Sequence, residues 1–315
     1  NVIILPKRAS LNIFRFTDIY KILKKESPHI VHTHGAKANI FYGIAAKLLG
    51  CKLVKTTHGE CEPSMFMSKT WLKRFVIICC DAIVDLLFDA RVFVTNDIAY
   101  RGVNRFRHGL SRVIHNSIPD IAVNSEEAKE LYDRSRYNVG MVGRISTVKG
   151  HVYLLTALRD LKDLIPNIQV HIFGDGPLHR RLERYCLRNS LGEYVIFHGF
   201  KKDVLFYQAG LDVLVIPSLH EGLPYSLLYA MKLKVPIVAS NVGGLKEILC
   251  DEEDGLLIKP KNIKSITTAL HFMFSNRDKA VMMAENAFNK VNINFAMSDM
   301  LESYINVYQV IISRT

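Results

Sequence analysis

The chain has 315 residues, 49% hydrophobic and 23% charged, which is enough apolar side chain for a large core and, at roughly 100 to 200 residues per domain, enough length for two domains. This balance excludes a disordered chain and a coiled coil. Forty-one Lys and Arg against 30 Asp and Glu give a net charge of +11, which calls for anionic partners such as phosphates, nucleic acid or an acidic membrane.

In chain order, short β-rich runs alternate with helical stripes, the pattern of a parallel sheet covered on both faces. The first series holds VIIL (2–5), a helix over 11–26, HIVHT (29–33), a helix over 36–49 and KLVKTT (52–57). A helix over 69–89, ARVFVT (90–95) and SRVIHN (111–116) complete it. The polar stretch 124–136, containing SEEAKELYDRSR, interrupts the alternation as a linker or exposed helix would, and the domain boundary is expected there. The second series is YNVGMV (137–142), IQVHIF (168–173), YVIF (194–197), DVLVIP (212–217), PIVAS (236–240) and GLLIK (255–259). Near-continuous apolar strands of this kind are buried on both faces. Only helical patterns follow Pro260, at 262–274, 277–290 and 297–312.

The charge is uneven. Residues 1–120 hold 18 Lys/Arg and 9 Asp/Glu, a net of +9, which leaves 23 and 21, a net of +2, for residues 121–315. The six cysteines, Cys51, Cys61, Cys79, Cys80, Cys186 and Cys250, form no C-x-x-C pair and no zinc-ligand spacing, and read as core thiols of a reduced compartment. The most apolar stretch, Phe75 to Val94, carries Asp81, Asp85, Asp89 and Arg91, charges that oppose membrane insertion. No signal peptide is evident, and the expected location is cytoplasmic.

Chemistry collects at strand ends. YNVGMV runs into Gly143 and Arg144, with Lys149 and Gly150 just before a helix; a glycine turn there lets backbone N–H groups approach an anion, and Arg and Lys supply charge and donors for a diphosphate. IQVHIF runs into Gly174-Asp175-Gly176-Pro177, and PIVAS into Val242-Gly243-Gly244. DVLVIP leads into PSLHEGLPYSLLYAM (217–231), with a helix opening near Tyr225. Glu221 then stands at a strand end beside a helix N-terminus, where its carboxylate can accept hydrogen bonds from sugar hydroxyls while nearby amides meet phosphate. In the first series His32, Thr33 and His34 end one strand and His58-Gly59 the next; imidazoles there can donate to a hydroxyl or a leaving phosphate oxygen. A zinc site from His32 and His34 lacks a third ligand by spacing.

GRISTVKG (143–150), GDGP (174–177), FHGF (197–200), IPSLHEGLPYSLLYAM (216–231) and ASNVGGLKEIL (239–249), in this order and spacing, resemble the retaining glycosyltransferases of family 4. The resemblance covers nearly the whole chain. It implies an α/β, GT-B architecture: two facing Rossmann-like doubly wound parallel-sheet domains with a cleft between them. The domains would be 1–125 on the acceptor side and 126–296 on the donor side, with 297–315 a helix packing back on the first. It implies that Arg144 and Lys149 bind the donor diphosphate, that Phe197 and His198 line the base through backbone contacts, and that Glu221 holds the donor sugar. His58 matches the family's histidine beside that sugar, and Glu221 and His58 form the catalytic pair. Gly143, Gly174, Gly176, Gly222, Leu223, Pro224, Tyr225 and Tyr229 complete the donor site.

Two departures stand out. The family carries a second glutamate eight positions after the first, bonding the ribose; here that position is Tyr229, a phenol that cannot act as a charged bidentate acceptor, so donor affinity or nucleotide choice is expected to differ. The family also opens with a strand and glycine-rich loop that do not precede VIIL, and one or two strand-helix units, each on the order of 30 residues, are expected to be missing.

The expected function is metal-independent transfer of a sugar, with retention, from a UDP- or GDP-sugar to a glycan or lipid-linked acceptor in polysaccharide or lipopolysaccharide assembly, with no cofactor beyond the donor substrate. No D-x-D motif occurs. Lys69, Lys73 and Arg74 beside Trp71 and Phe75 suit an anionic membrane face, which implies peripheral attachment to the inner face of the cytoplasmic membrane. No nucleic-acid recognition motif is present and no nucleic-acid partner is expected. The alternatives are a non-catalytic nucleotide-sugar-binding relative, motivated by Tyr229 and the short N-terminus, and a nucleotide-sugar epimerase. A Rossmann dehydrogenase is disfavoured because no G-x-G-x-x-G follows a strand with an acid about 20 residues on.

Overall fold

The computed structural model describes residues 13–59, 79–80, 82–103 and 109–314. The run VIIL, most of the helix expected over 69–89, its Lys69, Trp71, Lys73, Arg74 and Phe75, and Cys61 lie outside the described residues. The chain divides into two units, one of residues up to Val94, Ile98–Ile114 and Glu302 onward, the other of Thr95–Asp97 and His115–Leu301.

The first unit holds a parallel sheet of β1 (Ile30–His34), β2 (Lys52–Thr57), β3 (Ala90–Phe93) and β4 (Leu110–Val113), in the order β1-β2-β3-β4. Helices Ile13–Glu26 and Ala36–Leu48 precede β1 and β2. Ile19, Ala45, Ala46, Leu53, Val84 and Phe88 form the core beneath the sheet. β3 is buried at all four positions, Arg91 included. That charge is tolerable because Arg91 Nε donates to Asp85 Oδ2 at 2.9 Å, and Lys55 also pairs with Asp85. Asp85 and Arg91, two of the charges that argue against a membrane span, thus tie the sheet to the helical segment before it. Among the described residues no helix is long and apolar enough to cross a membrane.

The second unit is a six-stranded parallel sheet of β5 (Tyr137–Val142), β6 (Ile168–Phe173), β7 (Val195–Gly199), β8 (Val213–Ile216), β9 (Ile237–Ser240) and β10 (Leu256–Ile258), ordered β10-β9-β8-β5-β6-β7. β8 and β9 are buried at every position and β5 at all but its last, as continuous apolar runs covered on both faces require. Helix His151–Leu164 turns Leu154, Leu155, Leu158 and Leu161 into the core, an i, i+1, i+4, i+7 stripe. Helices Ile263–Ser275 and Arg277–Asn294 follow β10. Two sheets of alternating strands and helices make the fold α/β throughout.

The unit boundary differs from the one expected near residue 125. Residues 115–124 are bound into the second unit because Asn116 Nδ2 donates to the Leu223 carbonyl at 2.8 Å and Lys232 Nζ to Asp120 Oδ1 at 2.6 Å. The polar stretch forms a short helix, Ser125–Lys129, capped by Asn124, whose Oδ1 accepts from the Glu126 and Glu127 amides. The last helix, Met297–Ser313, changes unit between Leu301 and Glu302. Cys51 and Cys186 are buried thiols as expected, but Cys250 is exposed, since it lies in the turn before β10 rather than in the core.

Candidate active site

The second sheet reverses its strand order between β5 and β8: the chain adds β6 and β7 on one side, then returns to add β8, β9 and β10 on the other. At such a reversal the crossover helices leave to opposite sides, so the loops beyond the two strand ends leave a crevice between them, where these sheets bind ligands. β5 leads through Gly143 and Arg144 into a 3-10 turn, Thr147–Lys149; β8 leads through Pro217 to Pro224 into helix Tyr225–Lys232. The topology therefore selects the same two segments as the residue chemistry.

The two loops touch. The Leu219 amide donates to the Val148 carbonyl at 2.7 Å. Gly150 is left-handed, with φ +76°, and a Cβ there would lie 1.9 Å from the Pro217 carbonyl oxygen, so both its conformation and its space require glycine. This close approach brings Lys149 Nζ to 2.6 Å from Glu221 Oε1, and Ser218 Oγ donates to the same oxygen at 2.6 Å. The Glu221 side chain is only 8% exposed and that of Lys149 22%, a setting that strengthens a charge-assisted hydrogen bond. Glu221 Oε2 receives no hydrogen bond among the described residues. Arg144 stands exposed on the same loop as Lys149 and has no ion-pair partner among the described residues.

The other glycine turns pack against these loops. Gly174 and Gly176 face the backbone carbonyls of Gly143 and Ile145, and the Ile145 amide donates to the Asp175 carbonyl at 3.0 Å. The Gly244 amide donates to the Glu221 carbonyl at 3.3 Å, fixing the Glu221 backbone from the β9 side. The close approach that these glycines permit is thus made first by neighbouring loops. Gly222 and Leu223 are buried and Pro224 precedes the helix, whose exposed Tyr225 has its ring centroid 6.3 Å from that of half-buried Tyr229. Burial, and then the neighbouring Tyr225, push the Tyr229 phenol above its usual range.

Phe197 stacks on His179 and joins the main core. The His198 ring lies 4.4 Å from that of Phe173, with 7° between their planes. Its Nε2 lies 2.9 Å from His171 Nδ1, and His171 Nε2 lies 3.0 Å from Asn138 Oδ1. Asn138 Oδ1 can only accept, so His171 donates from Nε2, its Nδ1 accepts, and His198 donates from Nε2. Burial, and then His198, push His171 down to about 3. Burial, and then Lys201, lower His198. Both imidazoles are neutral near pH 7.

His58 belongs to the first unit, at the end of β2, where its Nε2 lies 2.8 Å from His34 Nδ1. His34 stacks on His32, and His32 is held by Tyr308 and Thr56 at 2.7 and 2.8 Å. Burial is the main cause lowering all three, with His34 the second cause at His58; His32 reaches about 4. The pairing of His34 with His58 and the contact of Ser218 with Glu221 were not anticipated as such. The one available signal was position: His34 and His58 both stand at strand ends, and Ser218 stands three residues before Glu221. Among the described residues no three His, Cys, Asp or Glu side chains form a group that could hold a metal ion.

Comparison with known proteins shows the family and the fold. The family model for glycosyl transferases group 1 matches residues 123–290, and that for glycosyltransferase family 4 matches residues 1–121. The chain is 29% identical over 308 residues, 92% of its own length and 77% of the relative's, to the Escherichia coli UDP-Gal:alpha-D-GlcNAc-diphosphoundecaprenol alpha-1,3-galactosyltransferase. It is 25% identical over 312 residues, 92% of its length and 80% of the relative's, to the alpha-D-kanosaminyltransferase of Streptomyces kanamyceticus. Among solved structures, Anabaena HepE in complex with UDP-glucose matches with a TM-score of 0.82 at 18% identity, covering 95% of this chain and 82% of that one. Sucrose-phosphate synthase from Thermosynechococcus elongatus matches with a TM-score of 0.81 at 18% identity, covering 96% and 78%. These structural likenesses show the GT-B fold. With a group 1 match spanning residues 123–290, more than half of its length, the chain belongs to the glycosyl transferases group 1 and is a glycosyltransferase.

Proposed function

We propose that the protein transfers a hexose from a UDP-sugar to a hydroxyl of a lipid-linked glycan, with retention at the anomeric carbon and without metal, at the inner face of the cytoplasmic membrane. The observation that carries this reading is the Lys149–Glu221–Ser218 cluster at the reversal between β5 and β8. It sets a cation for phosphate and a free carboxylate oxygen for a sugar hydroxyl side by side. The E. coli relative is named for a UDP-sugar donor and a diphosphoundecaprenol-linked acceptor, and the net charge of +9 over residues 1–120 suits an acceptor that carries phosphates in an anionic bilayer. Assembly of a cell-surface polysaccharide or lipopolysaccharide is the setting that such an acceptor implies.

In the proposed step the acceptor oxygen bonds to the anomeric carbon as the bond from that carbon to the β-phosphate oxygen breaks. Attack comes from the face that the phosphate leaves, and the acceptor's proton passes to the departing phosphate oxygen. Charge grows on the diphosphate, and Arg144, Lys149 and the free amides at the start of helix Tyr225–Lys232 meet it as preorganised donors. Glu221 Oε2 accepts from a donor-sugar hydroxyl and holds the ring in place. On the first unit, His58 has Nε2 engaged by His34 and keeps Nδ1 for a hydrogen bond to a hydroxyl. Phe197 and His198 edge the nucleobase site, and Tyr229 offers one hydrogen bond to the ribose.

A non-catalytic nucleotide-sugar-binding role is the second reading, favoured by Tyr229 alone. The test is incubation of a UDP-hexose series with undecaprenyl-diphosphate-linked N-acetylglucosamine in the presence of EDTA, followed by NMR of the product. An α-linked disaccharide from an α-linked donor is expected. A β-linked product, or transfer that returns only with added Mg²⁺ or Mn²⁺, contradicts the proposed mechanism, and binding of UDP-sugars without transfer supports the second reading.

A further inference from the structure

We infer that Ser218 is a positioning residue for Glu221. It leaves one carboxylate oxygen, Oε2, to read a single donor-sugar hydroxyl. This inference rests on the reading of Glu221 as a sugar-binding residue.

The Glu221 backbone is held by the Gly244 amide, so what remains free is the carboxylate at the end of three side-chain torsions. Two donors meet Oε1, Lys149 Nζ and Ser218 Oγ, each at 2.6 Å, and together they use its two lone pairs. Oε2 is therefore the acceptor left for a ligand.

The two donors differ in what happens when a diphosphate arrives. Lys149 is a flexible ammonium with three donor hydrogens, 22% exposed, and a phosphate competes for it. Ser218 is fully buried, follows β8 directly after Pro217, and makes no other side-chain hydrogen bond among the described residues. Its hydroxyl has no alternative partner among the described residues, so it keeps Oε1 turned inward when Lys149 shifts towards the donor. A carboxylate with both oxygens free can bridge two adjacent hydroxyls; with Oε1 retained by Ser218 it accepts from one.

The test compares wild type, Ser218→Ala and Ser218→Thr by calorimetry with UDP, UDP-glucose and UDP-galactose, alongside crystal structures of the free proteins. Thermal midpoints and UDP affinity serve as folding controls. Ser218→Ala is expected to bind UDP as wild type does and to bind the favoured UDP-hexose roughly ten-fold more weakly, the scale of a hydrogen bond to a charged group. Glu221 is expected to spread over more than one rotamer in that variant, and Ser218→Thr, which keeps the hydroxyl, to restore both properties. A Glu221 carboxylate that keeps its wild-type orientation in Ser218→Ala overturns the inference, even if no nucleotide binds. If Glu221 reorients while UDP-hexose affinity is unchanged, Ser218 does position Glu221, but the reading of Glu221 as a sugar-binding residue fails.

Discussion

Lys149 and Glu221 stand 72 residues apart in the sequence and meet at 2.6 Å between Nζ and Oε1, joining the loops that leave β5 and β8. The two loops belong to strands that neighbour each other only because the sheet reverses its order. The proposed diphosphate ligand and the proposed sugar ligand are thereby coupled through one ion pair. Glu221→Gln keeps the side-chain volume and removes the charge. It is expected to leave UDP affinity close to wild type and to lower kcat for transfer roughly a hundred-fold, as loss of one preorganised transition-state contact does, measured by steady-state kinetics. A rise in KM with unchanged kcat would assign Glu221 to uniform binding, equal in the ground and transition states.

Gly150 has a left-handed backbone and abuts the Pro217 carbonyl. Gly150→Ala must move one of the two loops, and destabilisation on the order of 3 kcal/mol is expected from strain plus overpacking, read as a lower urea midpoint. UDP affinity should fall with it, because the displaced loop carries Lys149. Unchanged stability would show that the two loops adjust independently.

His151 opens the helix after that loop, is fully buried, and neither ring nitrogen makes a well-formed hydrogen bond. Burial, and then Lys149, push it down to about 4, with the Ser146 backbone opposing weakly. Its folded pKa lies below the unfolded value of 6.5, so the unfolded chain takes up the proton first and acid favours unfolding. The penalty is absent above about pH 6.5, grows as pH falls towards 4 and is constant below that; at pH 5 it amounts to about 2 kcal/mol. His151→Leu is expected to stabilise the protein by about 1 to 3 kcal/mol at pH 7 and by more at pH 5, measured by denaturant titration at both values. A variant that is less stable at pH 7 would indicate a water or other partner for the imidazole.

Tyr229 lies one helical turn from Tyr225, on the helix whose N-terminus faces the proposed diphosphate. Tyr229→Glu gives the ribose a bidentate anionic acceptor, and UDP affinity is expected to rise roughly ten-fold. Affinity for 2′-deoxy-UDP should change much less. Equal gains for both nucleotides would place the new carboxylate away from the ribose.

Much of this arrangement was legible in the chain. β5, β8 and β9 stood out because strands covered on both faces read as unbroken apolar runs, and Gly143, Arg144, Lys149 and Glu221 stood out because each follows such a run. The strand order was not legible, since the register of β5 with β8 depends on how distant segments pack. The hydrogen bond from Ser218 to Glu221 depends on the backbone path through Leu219 and His220, which two intervening letters do not specify. The unit boundary moved from the polar helix at 125 to His115 because Asn116 and Asp120, polar residues in an extended segment, find their partners on Leu223 and Lys232. His34 and His58 sit on adjacent strand ends, and only the pairing of β1 with β2, which sets His34 opposite Thr56, makes them neighbours.

The most direct measurement is calorimetric titration of the protein with UDP, GDP and ADP in EDTA, repeated on Arg144→Ala combined with Lys149→Ala. Selective binding of UDP that is lost in the double variant is the predicted result. UDP binding that persists undiminished in the double variant would contradict a diphosphate site at the reversal between β5 and β8.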